Sequence, residues 1–291
     1  MSGPVVIVPI YQAVSDLERC LESLERTLPA RSRLHLADDA SPDPAVTALL
    51  EHFGRHSHLQ VRTVRRSCNL GFVGNVNLAL AETAPHDVVL FNSDAGATPG
   101  WFEAIRACAA SDPRIATITP WSNNAEICSW PELCRAAPVP ERAEAARIAQ
   151  VLRQLALRNY PELPTGVGFC MFIRRRALQA LGGFDEATFG RGYGEENDFC
   201  RRAAGHGWRN VLCDDAYVTH RGGASFSSTG ERPGGQNLLR LNARYPNYNA
   251  LVAQFILHDS LAPLRQRIVD GLASTGSVPE IAVQRDLFGT Q

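Results

Sequence analysis

The stretch Asp87-Val-Val-Leu-Phe-Asn-Ser-Asp94-Ala-Gly-Ala-Thr-Pro-Gly-Trp101 is an apolar run that ends abruptly in a carboxylate and passes into turn residues. Val88 to Phe91 is too short for a helix and too uniformly apolar to alternate, which predicts a strand covered on both faces of a parallel sheet. Ligands of such sheets bind beyond the carboxyl ends of the strands, where Asn92, Ser93 and Asp94 fall. A carboxylate placed there can share a hard divalent cation with a diphosphate. An Asx-type turn closing the strand explains the same residues equally well, so the neighbouring stretches have to decide.

Working outward, Pro4 to Ile10 (PVVIVPI) reads as a first buried strand, and Tyr11 leaves it for a helix with Leu17, Cys20, Leu21 and Leu24 on one face. Ser15 is the expected N-cap, with Glu18 as its capping-box partner. No Gly-x-Gly-x-x-Gly follows this strand, which removes the dinucleotide cradle of a dehydrogenase. Leu34 to Ala37 is a second strand, ending in Asp38-Asp39-Ala-Ser-Pro-Asp-Pro44. Two adjacent acids at a strand end can accept from a base N–H or from ribose hydroxyls, and Asp39 or Ser41 can equally cap the helix that starts near Pro44. After a third strand, Leu59 to Val64, the run Asn69-Leu-Gly71-Phe72-Val-Gly-Asn75 combines amide donors with glycines that let a ligand approach the backbone.

On the other side of Asp94, Arg114 to Thr119 predicts a strand, Trp121 to Trp130 is polar, aromatic and irregular, and Glu141 to Leu157 is an amphipathic helix. Thr165-Gly166-Val-Gly168 turns into the apolar strand ending at Ile173. Gly190-Arg-Gly-Tyr-Gly-Glu195-Glu196-Asn-Asp198 delivers three acids onto the first turn of a helix. Asp198 and Arg202 form an i,i+4 pair. Adjacent Glu195 and Glu196 raise each other's proton affinity, which suits one of them to taking a proton from a hydroxyl nucleophile. His220 stands just past a β-rich run and is either structural or a metal ligand.

The 291 residues carry 45% hydrophobic and 20% charged residues and a net charge of −1. That supports one large domain with an appendage, and gives no electrostatic case for nucleic acid. No apolar run approaches the roughly 20 residues of a membrane span, so a soluble, cytoplasmic protein is expected. The eight cysteines include no Cys-x-x-Cys pair and are expected as reduced core thiols.

Several ordered motifs, VVIVPIY, DDASPDP, NLGFVGN, LFNSDAGATPGW, GVGFCMFIRR, GYGEENDFCRR and VTHRGG, together resemble the family 2 glycosyltransferases with the GT-A fold, over about residues 4 to 226. The likeness is greatest to the rhamnosyltransferase-like enzymes of bacterial O-antigen and capsule synthesis. It implies an α/β fold with a Rossmann-like, mostly parallel central sheet flanked by helices: a catalytic domain over residues 1–226 and a small polar, helical C-terminal extension over 227–291. It implies an inverting transfer from a UDP-, dTDP- or GDP-linked sugar to a glycan or lipid-linked glycan acceptor, with Mg²⁺ or Mn²⁺, and leaves peripheral contact with the inner face of the membrane open. By the same resemblance Pro9, Tyr11, Asp38, Asp39, Asn69, Gly71, Phe72, Asn75, Asn92 and Ser93 bind the nucleotide, and Asp94 and His220 the metal. Glu196 is the base with Glu195 beside it. Trp121, Trp130, Thr165, Gly166 and Gly168 are candidates for the acceptor side. Asn92 stands where the family's Asp-x-Asp motif has its first acid. A sugar nucleotidyltransferase would want a glycine- and arginine-rich loop at PIYQAVSD and has none; a sugar-nucleotide-binding module without catalysis would not require Glu195 and Glu196.

Overall fold

The computed structural model describes residues 3–222 and 235–275. In chain order the elements are β1 (Val5–Ile10), α1 (Val14–Thr27), β2 (Arg33–Asp38), α2 (Pro44–His56), β3 (Gln60–Arg65), α3 (Gly71–Glu82), β4 (Val88–Phe91), β5 (Ala95–Ala97), α4 (Trp101–Ser111) and β6 (Ile115–Trp121). They continue with α5 (Arg142–Leu155), β7 (Cys170–Ile173), α6 (Arg175–Leu181), α7 (Glu186–Phe189), α8 (Glu195–Gly205), β8 (Arg209–His220), α9 (Gln236–Arg244), α10 (Tyr248–His258) and α11 (Ala262–Ser274).

The strands form one eight-stranded sheet in the order β3-β2-β1-β4-β7-β6-β8-β5. Strands β3, β2, β1 and β4 run parallel, as β6 and β8 do, while β7 runs antiparallel between β4 and β6. The chain leaves β1 toward β2 on one side and later returns to β4 on the other, so the sheet has a switch point beside β1. A crevice opens there at the carboxyl ends of the strands.

Alternation along each strand divides the interior in two. Val6, Val8, Ile10, Val89, Phe91 and Phe172 belong to the layer beneath α1, α4 and α5, and Val5, Ile7, Val88, Leu90, Met171 and Ile173 to the layer beneath α3, α6 and α8. Both faces are covered, which is why Val88 to Phe91 shows no polar alternation. The C-terminal extension is not a loose appendage, because Leu261, Leu264, Ile268 and Leu272 enter the first layer, against α5. The expected division at residues 226 and 227 lies outside the described residues. All eight cysteines are free thiols, six of them buried.

Helix α1 departs from expectation at its start. Its stripe of Leu17, Cys20, Leu21 and Leu24 is buried as predicted, but Ser15 lies inside the helix and Ala13 occupies the N-cap without a side-chain cap. Gln12 and Ala13 are both left-handed, with φ of 59° and 54°. The Gln12 N–H donates to Ser41 Oγ at 2.9 Å, so the crossing β2 loop, rather than a capping box, sets this turn.

Candidate active site

Asp38 and Asp39 end β2 and are 1% and 3% exposed. Asp38 accepts from Arg65 Nη1 at 2.6 Å and from the Ser41 N–H at 3.0 Å. Asp39 does not cap α2, which is capped by Asp43. It reaches across the crevice, where its two carboxylate oxygens accept from the backbone N–H groups of Leu70 and Gly71 at 2.8 and 2.9 Å. Burial raises the Asp39 carboxyl above its ordinary value, against the pull of those two N–H groups. The acids therefore build the floor and clamp the loop at Asn69 to Gly71, whose Asn69 side chain also accepts from Arg191. Gly71 is left-handed at φ +78° with Arg191 packed on it, so a side chain is excluded twice over.

Three of the expected nucleotide and acceptor residues, Asn75, Trp121 and Trp130, are buried. Asn75 is 1% exposed, its amide donating to Ala37 O at 2.8 Å and accepting from Arg66 Nε at 2.9 Å. It is a strut between α3 and β2. Trp121 is fully buried in the core, and Trp130, 4% exposed, packs edge-on against Tyr217 with ring centroids 6.4 Å apart. Both indoles belong to the layer beneath α5, and Trp130 also borders a cavity with Asn123, Glu144 and Tyr217.

Asp94 lies within a turn in which Asn92 O accepts from the Ala95 N–H at 3.0 Å. Ser93 is buried within it. Strand β5 pairs antiparallel with β8, setting Ala95 opposite His220. That pairing brings His220 Nε2 to 3.5 Å from Asp94 Oδ1. The other ring nitrogen, Nδ1, lies 2.7 Å from Asn124 O, to which it donates, and the ring stacks on Phe169 at 5.1 Å. With Nδ1 held by Asn124, Nε2 is the ring nitrogen that faces Asp94, the arrangement in which a histidine can ligate a metal. Two ligands bound to one cation at about 2.1 Å each lie at about this separation. Among the described residues no group of three or more His, Cys, Asp or Glu is placed to hold an ion. Asp94 and His220 are spaced as two ligands of one cation would be.

Helix α8 starts after Gly194, left-handed at φ 105°. Glu195 is buried, and Glu196 Oε2 is buried with no hydrogen-bond partner. Burial is the foremost cause of a raised Glu196 carboxyl, and the field of Glu126 adds to it. Contrary to mutual repulsion, Glu195 acts in the opposite direction, through a hydrogen bond that lowers Glu196. Gly168 lies against this acid: a Cβ there would stand 3.8 Å from Glu196 Cγ. The next residue, Phe169, stacks on His220 and accepts from the Asn92 N–H at 2.8 Å. One short segment therefore joins the Asp94–His220 pair to Glu196.

Thr165 and Gly166 are buried and serve α8 from behind. Thr165 Oγ1 donates to Asn197 Oδ1 at 2.8 Å, and the Gly166 N–H meets Cys200 Sγ at 3.1 Å. Asp198, 0% exposed, keeps its expected bond to Arg202 at 2.7 Å and gains Arg244 at 2.7 Å and Tyr245 at 2.9 Å from the C-terminal extension. Tyr248 donates to Asn197 at 2.8 Å. Sequence reasoning missed Phe169, the Asn123–Asn124 support of His220, and this grip of α9 and α10 on the base helix. The paired asparagines within the irregular aromatic stretch were the available signal.

The family profile described as "Glycosyl transferase family 2" matches residues 5–182. Among curated proteins, the N-acetylglucosaminyl-diphospho-decaprenol L-rhamnosyltransferase of Mycobacterium tuberculosis is 28% identical over 253 residues, covering 79% of this chain and 78% of that one. Among solved structures, a mannosyltransferase from Pyrobaculum calidifontis in complex with GDP-Man and Mn²⁺ superposes with a TM-score of 0.60 at 18% identity, covering 94% of this chain and 76% of that one. S. aureus TarS 1–349 in complex with UDP-GlcNAc gives 0.56 at 15% identity, covering 94% and 80%. These structural likenesses establish the GT-A fold.

Proposed function

The chain belongs to glycosyl transferase family 2, and from that premise we propose that it is an inverting transferase, moving a sugar from a nucleoside diphosphate donor to a hydroxyl of a lipid-linked glycan. The observation that carries the reading is the segment Gly168-Phe169, which touches Glu196 on one side and His220 on the other. A donor diphosphate held at Asp94 and His220 would then bring its anomeric carbon toward the base. Glu196 takes the proton of the acceptor hydroxyl. That oxygen attacks the anomeric carbon as the bond to the diphosphate breaks, the diphosphate leaves with the electron pair, and the configuration inverts. Mg²⁺ or Mn²⁺, when bound by Asp94 and His220, supplies charge neutralisation of the leaving group.

Support for a lipid-linked acceptor comes from the M. tuberculosis relative, whose name gives N-acetylglucosaminyl-diphospho-decaprenol as the molecule it acts on. No helix among the described residues is long and apolar enough to cross a membrane. In this reading the acceptor is met peripherally, at the inner face of the membrane, as part of surface polysaccharide synthesis. Residues 1–226 carry donor binding and catalysis in this reading, and within the extension 227–291 Arg244, Tyr245 and Tyr248 support α8.

Nucleotide sugars bearing UDP, dTDP and GDP, screened by thermal shift with and without Mn²⁺, test it. A true donor raises the melting temperature, because it binds only the folded state. No stabilisation by any of them would sink the reading. Asn92→Asp belongs in the same screen. If Asn92 has lost only a ribose or water contact, restoring the acid keeps or strengthens Mn²⁺-dependent stabilisation. Complete loss of donor binding with the fold intact would show that the amide is required.

A further inference from the structure

Beside Asp94 a cavity of about 430 Å³ opens between α1 and the end of β8, lined by Asp94, Gly96 and Val139 together with Asp16, Arg19 and Arg221. Arg221 follows His220, and its backbone N–H donates to Asp94 O at 3.1 Å. Its guanidinium donates to Asp16 Oδ1 at 3.1 Å, and Arg19 donates to that same oxygen. Two guanidinium groups thus converge on one carboxylate oxygen, with the Asp94 carboxylate on the same cavity wall. Both arginine side chains are 59% exposed, whereas Asp16 is 16% exposed. Ion pairs this exposed contribute little to stability, so the fold does not account for the convergence. The remaining N–H groups of each fork are of the kind that phosphate oxygens take two at a time.

We propose that Arg19 and Arg221, gathered by Asp16, form a fixed cationic subsite for the diphosphate of the donor. The inference rests on the reading of Asp94 as the end of the site that meets the diphosphate. It also gives Asn92 a counterpart. With one carboxylate fewer than the family motif, the site holds a divalent cation less tightly, and two permanent charges across the cavity take part of the leaving group's charge. Nucleoside diphosphate therefore binds, more weakly, without divalent metal, and the arginines matter most under that condition.

Calorimetric titration of UDP, dTDP and GDP, and of the matching monophosphates, into wild type and Arg19→Gln/Arg221→Gln tests this, each with Mn²⁺ and again with EDTA. Losing charge-assisted bonds to an anion should weaken diphosphate binding in EDTA by about 10- to 100-fold. The loss should be several-fold smaller with Mn²⁺, absent for the monophosphate, and partly recovered in Arg19→Lys/Arg221→Lys. Wild type that binds diphosphate with Mn²⁺ but not at all in EDTA overturns the subsite and leaves the donor reading standing. So does an unchanged affinity in the double variant, or an equal loss for the monophosphate. Wild type that binds no nucleotide under any condition overturns the donor reading itself, and the subsite with it.

Discussion

Glu196→Gln is expected to lower kcat by at least about 10²-fold while donor affinity stays near wild type, because general-base assistance acts in the transition state and not in the ground state. The amide keeps the shape of the acid at the first turn of α8 and removes only its basicity. Burial lifts the Glu196 carboxyl above its ordinary value, with Glu126 adding to the rise. The base must be ionised to accept a proton. Wild-type kcat should therefore be full above that raised value and fall as pH drops through it. The residual rate of Glu196→Gln should lack this acid limb. Steady-state kinetics across pH, with donor titration alongside, checks both statements. Near-normal turnover in Glu196→Gln together with a collapse in Glu195→Gln would move the role to Glu195.

The second large effect is expected at the Asp94–His220 pair. Groups that merely orient a metal ligand are worth about 10–100-fold in metal affinity, so deleting a ligand should cost at least that much. With Mn²⁺ present, Asp94→Ala and His220→Ala should each weaken nucleoside diphosphate binding by about 10²-fold. In EDTA both variants and wild type should converge on one weak affinity. If both variants bind as wild type does with Mn²⁺, the metal assignment is wrong.

What the sequence disclosed, and what it withheld, follows the range of the interactions. Val88 to Phe91 announces a doubly covered strand through composition alone, and Asp94 stands at its end because strand length is local. Pairing Asp94 with His220 required β5 and β8 to meet across 125 positions, and only the resemblance suggested it. The two tryptophans show the limit of reading by residue type. An indole in a polar stretch looks like a sugar platform, yet Trp121 is the last residue of β6, a strand buried at every position, so its ring falls into the core. Asn75 failed for a similar reason. Its position on α3 turns it toward Ala37 and Arg66. Ser15 failed because a tertiary bond from Gln12 to Ser41 overrode local capping chemistry. The polar, helical extension gave no local sign that Arg244 and Tyr245 reach Asp198, an ion pair and a hydrogen bond between residues nearly fifty positions apart.

The measurement that bears most directly on the account is the anomeric configuration of the transferred sugar, read by NMR from the product that wild type makes with the donor selected in the thermal-shift screen. A single displacement, with Glu196 activating the acceptor on the face opposite the diphosphate, predicts that every product molecule carries the configuration opposite to that of the donor. Product with the donor's own configuration would contradict it.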